Sequence, residues 1–205
     1  MSSFFGATSV GVKARDGVAL ATDRRMAYGT FIMSRNARKV FRINNRIGIV
    51  FAGLYGDISG LVRILKADLK SYELTTGNPI TTYMTAKRLS LIMYSYKMLP
   101  FIVETIVGGL DPDGTPKLYV LDSLGSITEE PYAAVGTGAT IAYGYLEANY
   151  REDLSGEEAL QIAINAVKTA IVRDAGTGDG IDSILISKEG VREESVKLRV
   201  RVEEG

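Results

Sequence analysis

The stretch GATSVGVKARDGVALATDRR, residues 6–25, decides the fold of this chain. Apolar and polar residues alternate roughly from Thr8 to Arg15, which is typical of a strand with one buried face. Asp16-Gly17 is a strong turn signal, and a second apolar run follows from Val18 to Thr22. The stretch therefore predicts two consecutive strands joined by a tight turn.

Outward from this stretch, the predicted order is strands, two helices, strands, two helices and strands. Strands are predicted at residues 39–43, 46–52, 101–107, 118–122, 183–187 and 196–202, with a further short strand before Gly136. Apolar spacings of three and four predict helices at residues 61–72, 83–99 and 141–150, and the capping box Ser155-x-x-Glu158 opens a fourth. This order predicts an α+β fold, a four-layer αββα sandwich of two antiparallel sheets flanked by helix pairs.

Length, charge and hydropathy restrict the class of protein. The 205 residues fit one domain, and the 24 basic residues balance the 24 acidic ones, so bulk charge predicts no nucleic-acid partner. The longest apolar runs, such as 47–54, are too short to cross a bilayer, and MSSFFG at residues 1–6 lacks the features of a secretion signal. We expect a soluble, cytoplasmic protein without a membrane partner.

The chain contains neither cysteine nor histidine. Disulfides, thiolate or histidine metal sites, cysteine nucleophiles and the Ser-His-Asp triad are therefore excluded, and no metal or cofactor is expected. Nucleophilic catalysis would need Ser, Thr or Lys with a base other than imidazole. One solution is an N-terminal Thr or Ser that uses its own α-amine, whose reference pKa of about 7.7–8.0 suits a base near neutral pH.

Five segments, in order, resemble the proteasome β-subunit family of N-terminal nucleophile hydrolases. They are GATSVGVKARDGVALATDRR (6–25), FIMSRNARKVFRI (31–43), FAGLYGD (51–57), VGTGA (135–139) and RDAGTGDGID (173–182). The resemblance covers essentially the whole chain and implies the same four-layer fold. It also implies threonine endopeptidase activity, a short leader at residues 1–6 that is removed by self-cleavage, and a proteasome β-type domain at residues 7–205.

The resemblance assigns site residues one by one. The nucleophile falls on Ala7 behind Gly6, the orienting acid on Asp23, the central lysine on Lys39 and an oxyanion-hole glycine on Gly53. Two further site motifs of the family are also present. The first falls on Thr137, where the family usually has serine. The second falls on Asp174, which is the usual residue, and on Thr177, which again replaces a serine. A pocket for the residue before the cut is implied at Met26, Ala37, Phe51 and Tyr55, so apolar substrates are expected.

Several of these residues also have purely structural interpretations. Asp23 and Lys39 can form a structural ion pair, and Gly53 can simply end a strand. Thr137 and Thr177 can be ordinary turn hydroxyls, and Met26 and Phe51 can be core residues. The motif context favours the functional interpretation for Asp23, Lys39 and Gly53, and leaves both interpretations open for the two threonines.

Alanine at position 7 predicts that this chain is inactive, because a methyl group has no hydroxyl to attack the leader or a peptide. Thr8 is a poor substitute, since it would need cleavage after Ala7 and its side chain would lie on the opposite face of the strand. Two histories fit. In one, alanine replaces threonine in a competent subunit, as the intact Gly6, Asp23, Lys39 and Gly53 suggest. In the other, the chain is a naturally silent ring subunit, as Thr137 and the Thr177-Gly178-Asp179 run suggest.

The resemblance also implies partners. It predicts rings of seven β subunits, two β rings back to back, α subunits outside them, an ATPase regulatory particle acting indirectly, and unfolded polypeptides as substrates. A proteasome α subunit fits less well, since those carry a long N-terminal extension, and the bacterial relatives normally lack the A-T-D-R-R form.

Overall fold

A computed structural model describes residues 5–198 of the chain. Within that range it contains twelve strands and four helices, arranged as two five-stranded antiparallel sheets and one two-stranded hairpin. The predicted α+β sandwich is confirmed. In the same range no helix is long and apolar enough to cross a membrane.

The first sheet is built around the hairpin that opens the sequence. Its strand order is β10-β1-β2-β11-β12, with every neighbouring pair antiparallel. The strands are β1 (Thr8–Lys13), β2 (Gly17–Asp23), β10 (Tyr132–Gly136), β11 (Gly180–Ser187) and β12 (Gly190–Lys197). Strand β1 therefore lies in the interior of the sheet, and residue 7 enters it at the end where β2 finishes with Asp23.

The second sheet has the order β5-β6-β7-β8-β9 and is also antiparallel. Its strands are β5 (Val40–Arg42), β6 (Ile47–Gly53), β7 (Val103–Leu110), β8 (Pro116–Leu121) and β9 (Ile127–Glu129). Between the two sheets lies a core of fully buried apolar side chains, which includes Leu20, Val50 and Ile106. Burial of this kind is the main favourable term in folding.

Helix pairs cover the outer faces of the two sheets. They are α1 (Tyr55–Thr76) and α2 (Thr82–Ser95) on the second sheet, and α3 (Ala139–Asn149) and α4 (Gly156–Arg173) on the first. Helix α1 ends at Gly77, whose φ of 68° is the left-handed C-cap that glycine favours. Helix α4 begins with the predicted capping box of Ser155 and Glu158.

Several features differ from the sequence prediction, among them the unpredicted strand β9 and the start of helix α1, which is at Tyr55 and not near residue 61. No strand is predicted between residues 23 and 38, yet this segment contains a short hairpin of β3 (Met26–Tyr28) and β4 (Phe31–Ser34) with an irregular register after Met26. Helix α2 ends earlier than expected, since the backbone N–H groups of Tyr96 and Lys97 bond three residues back and form turns. The last strand begins earlier than predicted, at Gly190, and residues 199–202 of the prediction lie outside the described residues.

Candidate active site

Asp23 and Lys39 form a buried ion pair at the end of β2. The Lys39 ammonium lies 2.6 Å from Asp23 Oδ1, and the two side chains are only 3% and 0% exposed. The Lys39 Nζ also donates to the carbonyl oxygen of Arg25, at 2.8 Å. Because burial of unpaired charges is costly, such a pair needs further hydrogen bonds around it.

Backbone N–H groups supply these bonds to Asp23. Its Oδ1 accepts from the N–H of Thr8 at 3.0 Å, and its Oδ2 accepts from the N–H groups of Arg25 at 3.0 Å and Gly178 at 2.9 Å. The carboxylate therefore joins three chain segments that are far apart in sequence. Together with the Lys39 ammonium, these N–H groups give both oxygens of the buried carboxylate hydrogen-bond donors.

Ala7 immediately precedes a residue that bonds to this pair, and it is fully buried. Its neighbour Thr8 donates its N–H to the same Asp23 oxygen that the Lys39 ammonium contacts. The N–H of Ala7 itself donates to Thr137 Oγ1 at 3.3 Å. The residue at position 7 is thus held on both sides by predicted site residues.

A second polar network is centred on Asp174, at the C-terminal end of α4. The hydroxyl of Thr137 donates to Asp174 Oδ2 at 2.6 Å, and the hydroxyl of Thr177 donates to the same oxygen. The hydroxyls of Thr8 and Thr177 lie 2.6 Å apart, so Thr8 is the donor in that bond. This network uses the Thr8 side chain, whereas the Lys39 ammonium bonds Asp23 and Arg25.

Gly53 ends β6 in a conformation that only glycine adopts readily. Its φ is 132°, and a Cβ there would lie 2.1 Å from the carbonyl oxygen of Ile102. A small cavity brings Gly53 together with Lys39, Met26 and Tyr55. Phe5, just before Gly6, lines the same cavity and packs its ring edge-on against Tyr28, with 4.8 Å between the ring centroids.

Only two of the four predicted pocket residues line this cavity. Met26 and Tyr55 line the cavity beside Gly53. Ala37 and Phe51 are buried, at 5% and 0% exposure, and are not among its lining residues. Phe51 packs within the core beneath α1 and α2 and lies edge-on to Phe41.

Arg25 is a site residue that the sequence prediction missed. Its backbone N–H and carbonyl bond Asp23 and Lys39, while its guanidinium bonds Asp179 Oδ2 and the carbonyl oxygen of Ala175, both at 2.7 Å. The double arginine after Asp23 was a visible signal, yet nothing local in the sequence indicates that the side chain reaches the loop after α4. In residues 5–198 no group of three or more Asp and Glu residues is arranged to hold a metal ion.

Comparison with known proteins places these motifs in one family. The family model described as "Proteasome subunit" matches residues 3–186. The chain is 49% identical to "Proteasome subunit beta 1" of Desulfurococcus amylolyticus, over 94% of this chain and 95% of the relative. It is 48% identical to the protein of the same name from Hyperthermus butylicus, over 94% and 93%. It is 46% identical to "Proteasome subunit beta 2" of Pyrobaculum neutrophilum, over 95% and 96%.

Proposed function

This chain belongs to the proteasome subunit family and is similar to its archaeal β subunits, and from that premise we propose that it forms the proteolytic chamber of a 20S core particle without cutting peptides itself. Residues 1–6 are a leader and residues 7–205 the β-type domain in this proposal. Position 7 is the nucleophile position of a threonine endopeptidase, and alanine there leaves the chain inactive.

One observation supports the nucleophile position above all others. Asp23 Oδ1 accepts hydrogen bonds from both the Lys39 ammonium, at 2.6 Å, and the N–H of the residue that follows Ala7, at 3.0 Å. A threonine at position 7 would therefore stand beside a buried ammonium. A nearby ammonium favours the neutral form of an α-amine and stabilises an alkoxide.

With threonine at position 7, the site offers a complete acyl-transfer mechanism. After leader removal the free α-amine of residue 7 would take the hydroxyl proton, and the oxygen would attack the carbonyl carbon of the substrate peptide. The backbone N–H of Gly53 would stabilise the oxyanion, a contribution often worth about 3–4 kcal/mol. The amine half of the substrate would leave with the proton, and water would then hydrolyse the ester.

Thr137, Asp174 and Thr177 have a supporting role in this mechanism. Thr137 accepts from the N–H of residue 7 and donates to Asp174, so it orients the group that acts as base. Both threonines provide the hydroxyl that the serine of other subunits would provide. An orienting hydrogen bond of this kind is a common support for a general base.

In the assembled particle we propose seven β subunits per ring, two β rings back to back and α rings outside, in the cytoplasm. An ATPase particle would deliver unfolded polypeptides for ATP-dependent degradation. Of the predicted pocket residues, Met26 and Tyr55 line the cavity beside Gly53 and carry no charge, so a restored site would prefer apolar residues before the cut.

A naturally non-catalytic ring subunit is the second candidate. It is favoured by the complete burial of Ala7, which packs with Ala52 and Val135 in the core between the sheets. The methyl group of Ala7 would then contribute to core packing, and no catalytic role at position 7 would be needed to explain it.

The test is peptide hydrolysis by particles assembled with the cognate α subunit. We expect background hydrolysis of apolar peptides from the chain with Ala7, and clear hydrolysis from the Ala7→Thr variant. Mass photometry should show particles of similar mass for both. If Ala7→Thr assembles normally and stays inert, the non-catalytic candidate is correct, and if the Ala7 chain itself cleaves peptides, the nucleophile assignment is wrong.

A further inference from the structure

Gly6 and Gly176 lie in direct backbone contact, although they are far apart in sequence. A Cβ added to Gly6 would lie 2.2 Å from Gly176 Cα and 2.7 Å from its carbonyl oxygen. A Cβ added to Gly176 would lie 2.5 Å from Gly6 Cα. Real side chains do not approach backbone this closely, so neither residue accepts a side chain while the other keeps its place.

The clash at Gly176 comes almost entirely from the leader. Apart from Gly6, the closest atom to a Cβ on Gly176 is Thr137 Oγ1, at 3.1 Å. A contact at that distance needs a shift of only a few tenths of an ångström. Once residues 1–6 are gone, a methyl group at position 176 should therefore be tolerated.

The loop that contains Gly176 is fixed on both sides and cannot easily give way. The guanidinium of Arg25 bonds Ala175 O and Asp179, and Asp23 Oδ2 accepts from the N–H of Gly178. Asp179 itself has a φ of 66°, an uncommon conformation for a residue other than glycine. A side chain at position 176 would thus move the leader and leave the loop in place.

We propose that Gly176 is a positioning residue for leader removal, which admits only glycine at position 6 and holds the Gly6–Ala7 peptide beside the Asp23–Lys39 pair. This rests on the proposed function, in which that peptide bond is the one the family cleaves. Peptide substrates are not attached to the nitrogen of residue 7, so they do not have to follow this path. Gly176 therefore matters for leader removal and much less for peptide hydrolysis.

The first test measures the contact alone and needs no catalysis. In the full chain with Ala7, hydrogen exchange of the Ala7 amide, which donates to Thr137, reports whether the leader keeps its place. We expect Gly176→Ala to accelerate this exchange by about tenfold or more, since local opening then costs less free energy. Gly144→Ala in α3 is the matched control, because nothing lies within 4 Å of its added Cβ. Exchange within about twofold of the parent in Gly176→Ala would overturn the proposal.

A reciprocal variant covers the case in which Gly176→Ala does not fold. Gly6→Ala places the same clash on the leader side, where the chain can move away from the loop. It should accelerate exchange of the Ala7 amide to a similar extent. Unchanged exchange in that variant would likewise refute the contact.

The second test separates leader removal from hydrolysis in the Ala7→Thr background. Adding Gly176→Ala should slow the loss of residues 1–6 by about tenfold or more, whereas hydrolysis per processed chain should stay within about twofold. Equal losses in both would show that Gly176 shapes the whole site and would overturn the proposal. If Ala7→Thr is never processed, the proposed function fails, while the exchange measurement still decides the contact.

Discussion

The Lys39 ammonium lies 2.6 Å from Asp23 Oδ1 with both side chains buried, and the two partners differ in how well the surroundings satisfy them. Without Lys39, the Asp23 carboxylate would still accept three backbone N–H groups. Without the carboxylate, the ammonium would keep only the carbonyl oxygen of Arg25 among its charged or polar contacts in the described residues. The pair is therefore asymmetric.

This asymmetry predicts unequal losses of stability. Asp23→Asn should lower the free energy of unfolding by about 3–5 kcal/mol, because it leaves a buried charge without its counter-ion and points an amide N–H₂ at N–H donors. Lys39→Met should cost less, about 1–3 kcal/mol, since the carboxylate keeps its hydrogen bonds. Urea unfolding with comparison of midpoints and slopes measures both.

A partly exposed pair provides the control for this comparison. Arg88 and Asp68 lie 2.8 Å apart with side chains 32% and 37% exposed, so Arg88→Met should cost less than about 1 kcal/mol. Equal losses for Asp23→Asn and Lys39→Met would show that the backbone N–H groups do not hold the carboxylate.

Gly53 should not tolerate a side chain. Gly53→Ala would force a φ of 132° on a residue with a Cβ and would bring that atom to 2.1 Å from the Ile102 carbonyl oxygen. We expect a loss of roughly 2–5 kcal/mol from backbone strain and overpacking together. The control Gly60→Ala, in open space on α1, should be neutral or stabilising by up to about 1 kcal/mol. Thermal unfolding of both variants checks this, and equal effects would refute the strain argument.

The hydroxyl of Thr137 should contribute more to the catalytic rate of an Ala7→Thr protein than its methyl group does. In the processed Ala7→Thr protein, Thr137→Ser keeps the bond to Asp174 and should leave the rate of peptide hydrolysis within a few fold. Thr137→Val keeps the shape and removes the hydroxyl that orients the α-amine, so that rate should fall by about 100-fold or more. Peptide hydrolysis per processed chain measures both variants, and similar rates for Val and Ser would exclude an orienting role.

The capping box at α4 gives a prediction with a pH dependence. Ser155→Ala should lower the free energy of unfolding by about 1 kcal/mol at neutral pH, as loss of an N-cap does.

The Ser155 N–H and hydroxyl donate to the Glu158 carboxylate and lower its pKa. Because the folded pKa is lowered, the contribution of Glu158 is present at neutral pH and is lost as the pH falls through that lowered pKa. Thermal midpoints of Glu158→Gln and the parent should therefore differ at neutral pH and converge in acid.

Much of this fold was predictable because its signals are local. Short local signals mark where strands and helices begin or end, because nearby residues impose the backbone geometry there. They are the Asp16-Gly17 turn between β1 and β2, Gly77 at the end of α1, and the Ser155–Glu158 box at the start of α4. The β3–β4 hairpin was missed because only one of its seven strand residues is buried and its register shifts after Met26, so it lacks a regular apolar alternation.

The sequence motifs indicated which residues form the candidate site, but not how those residues contact one another. The motifs indicated Asp23, Lys39, Thr137 and Asp174, and the structure brings each of them to residue 7 or its immediate surroundings. The reach of Arg25 to the loop after α4 and the contact of Gly6 with Gly176 depend on how distant segments pack. No local pattern in a single sequence encodes such contacts.

The most direct measurement of the central claim, that position 7 is the nucleophile position, is the intact mass of the assembled Ala7→Thr protein. We predict that the parent keeps its leader, apart from any removal of Met1 by an aminopeptidase, and that Ala7→Thr loses residues 1–6. Ala7→Thr with Lys39→Ala should keep the leader again, because the hydroxyl of residue 7 would then attack the Gly6 carbonyl without a nearby ammonium to stabilise the alkoxide. An assembled Ala7→Thr protein that retains residues 1–6 would contradict the account.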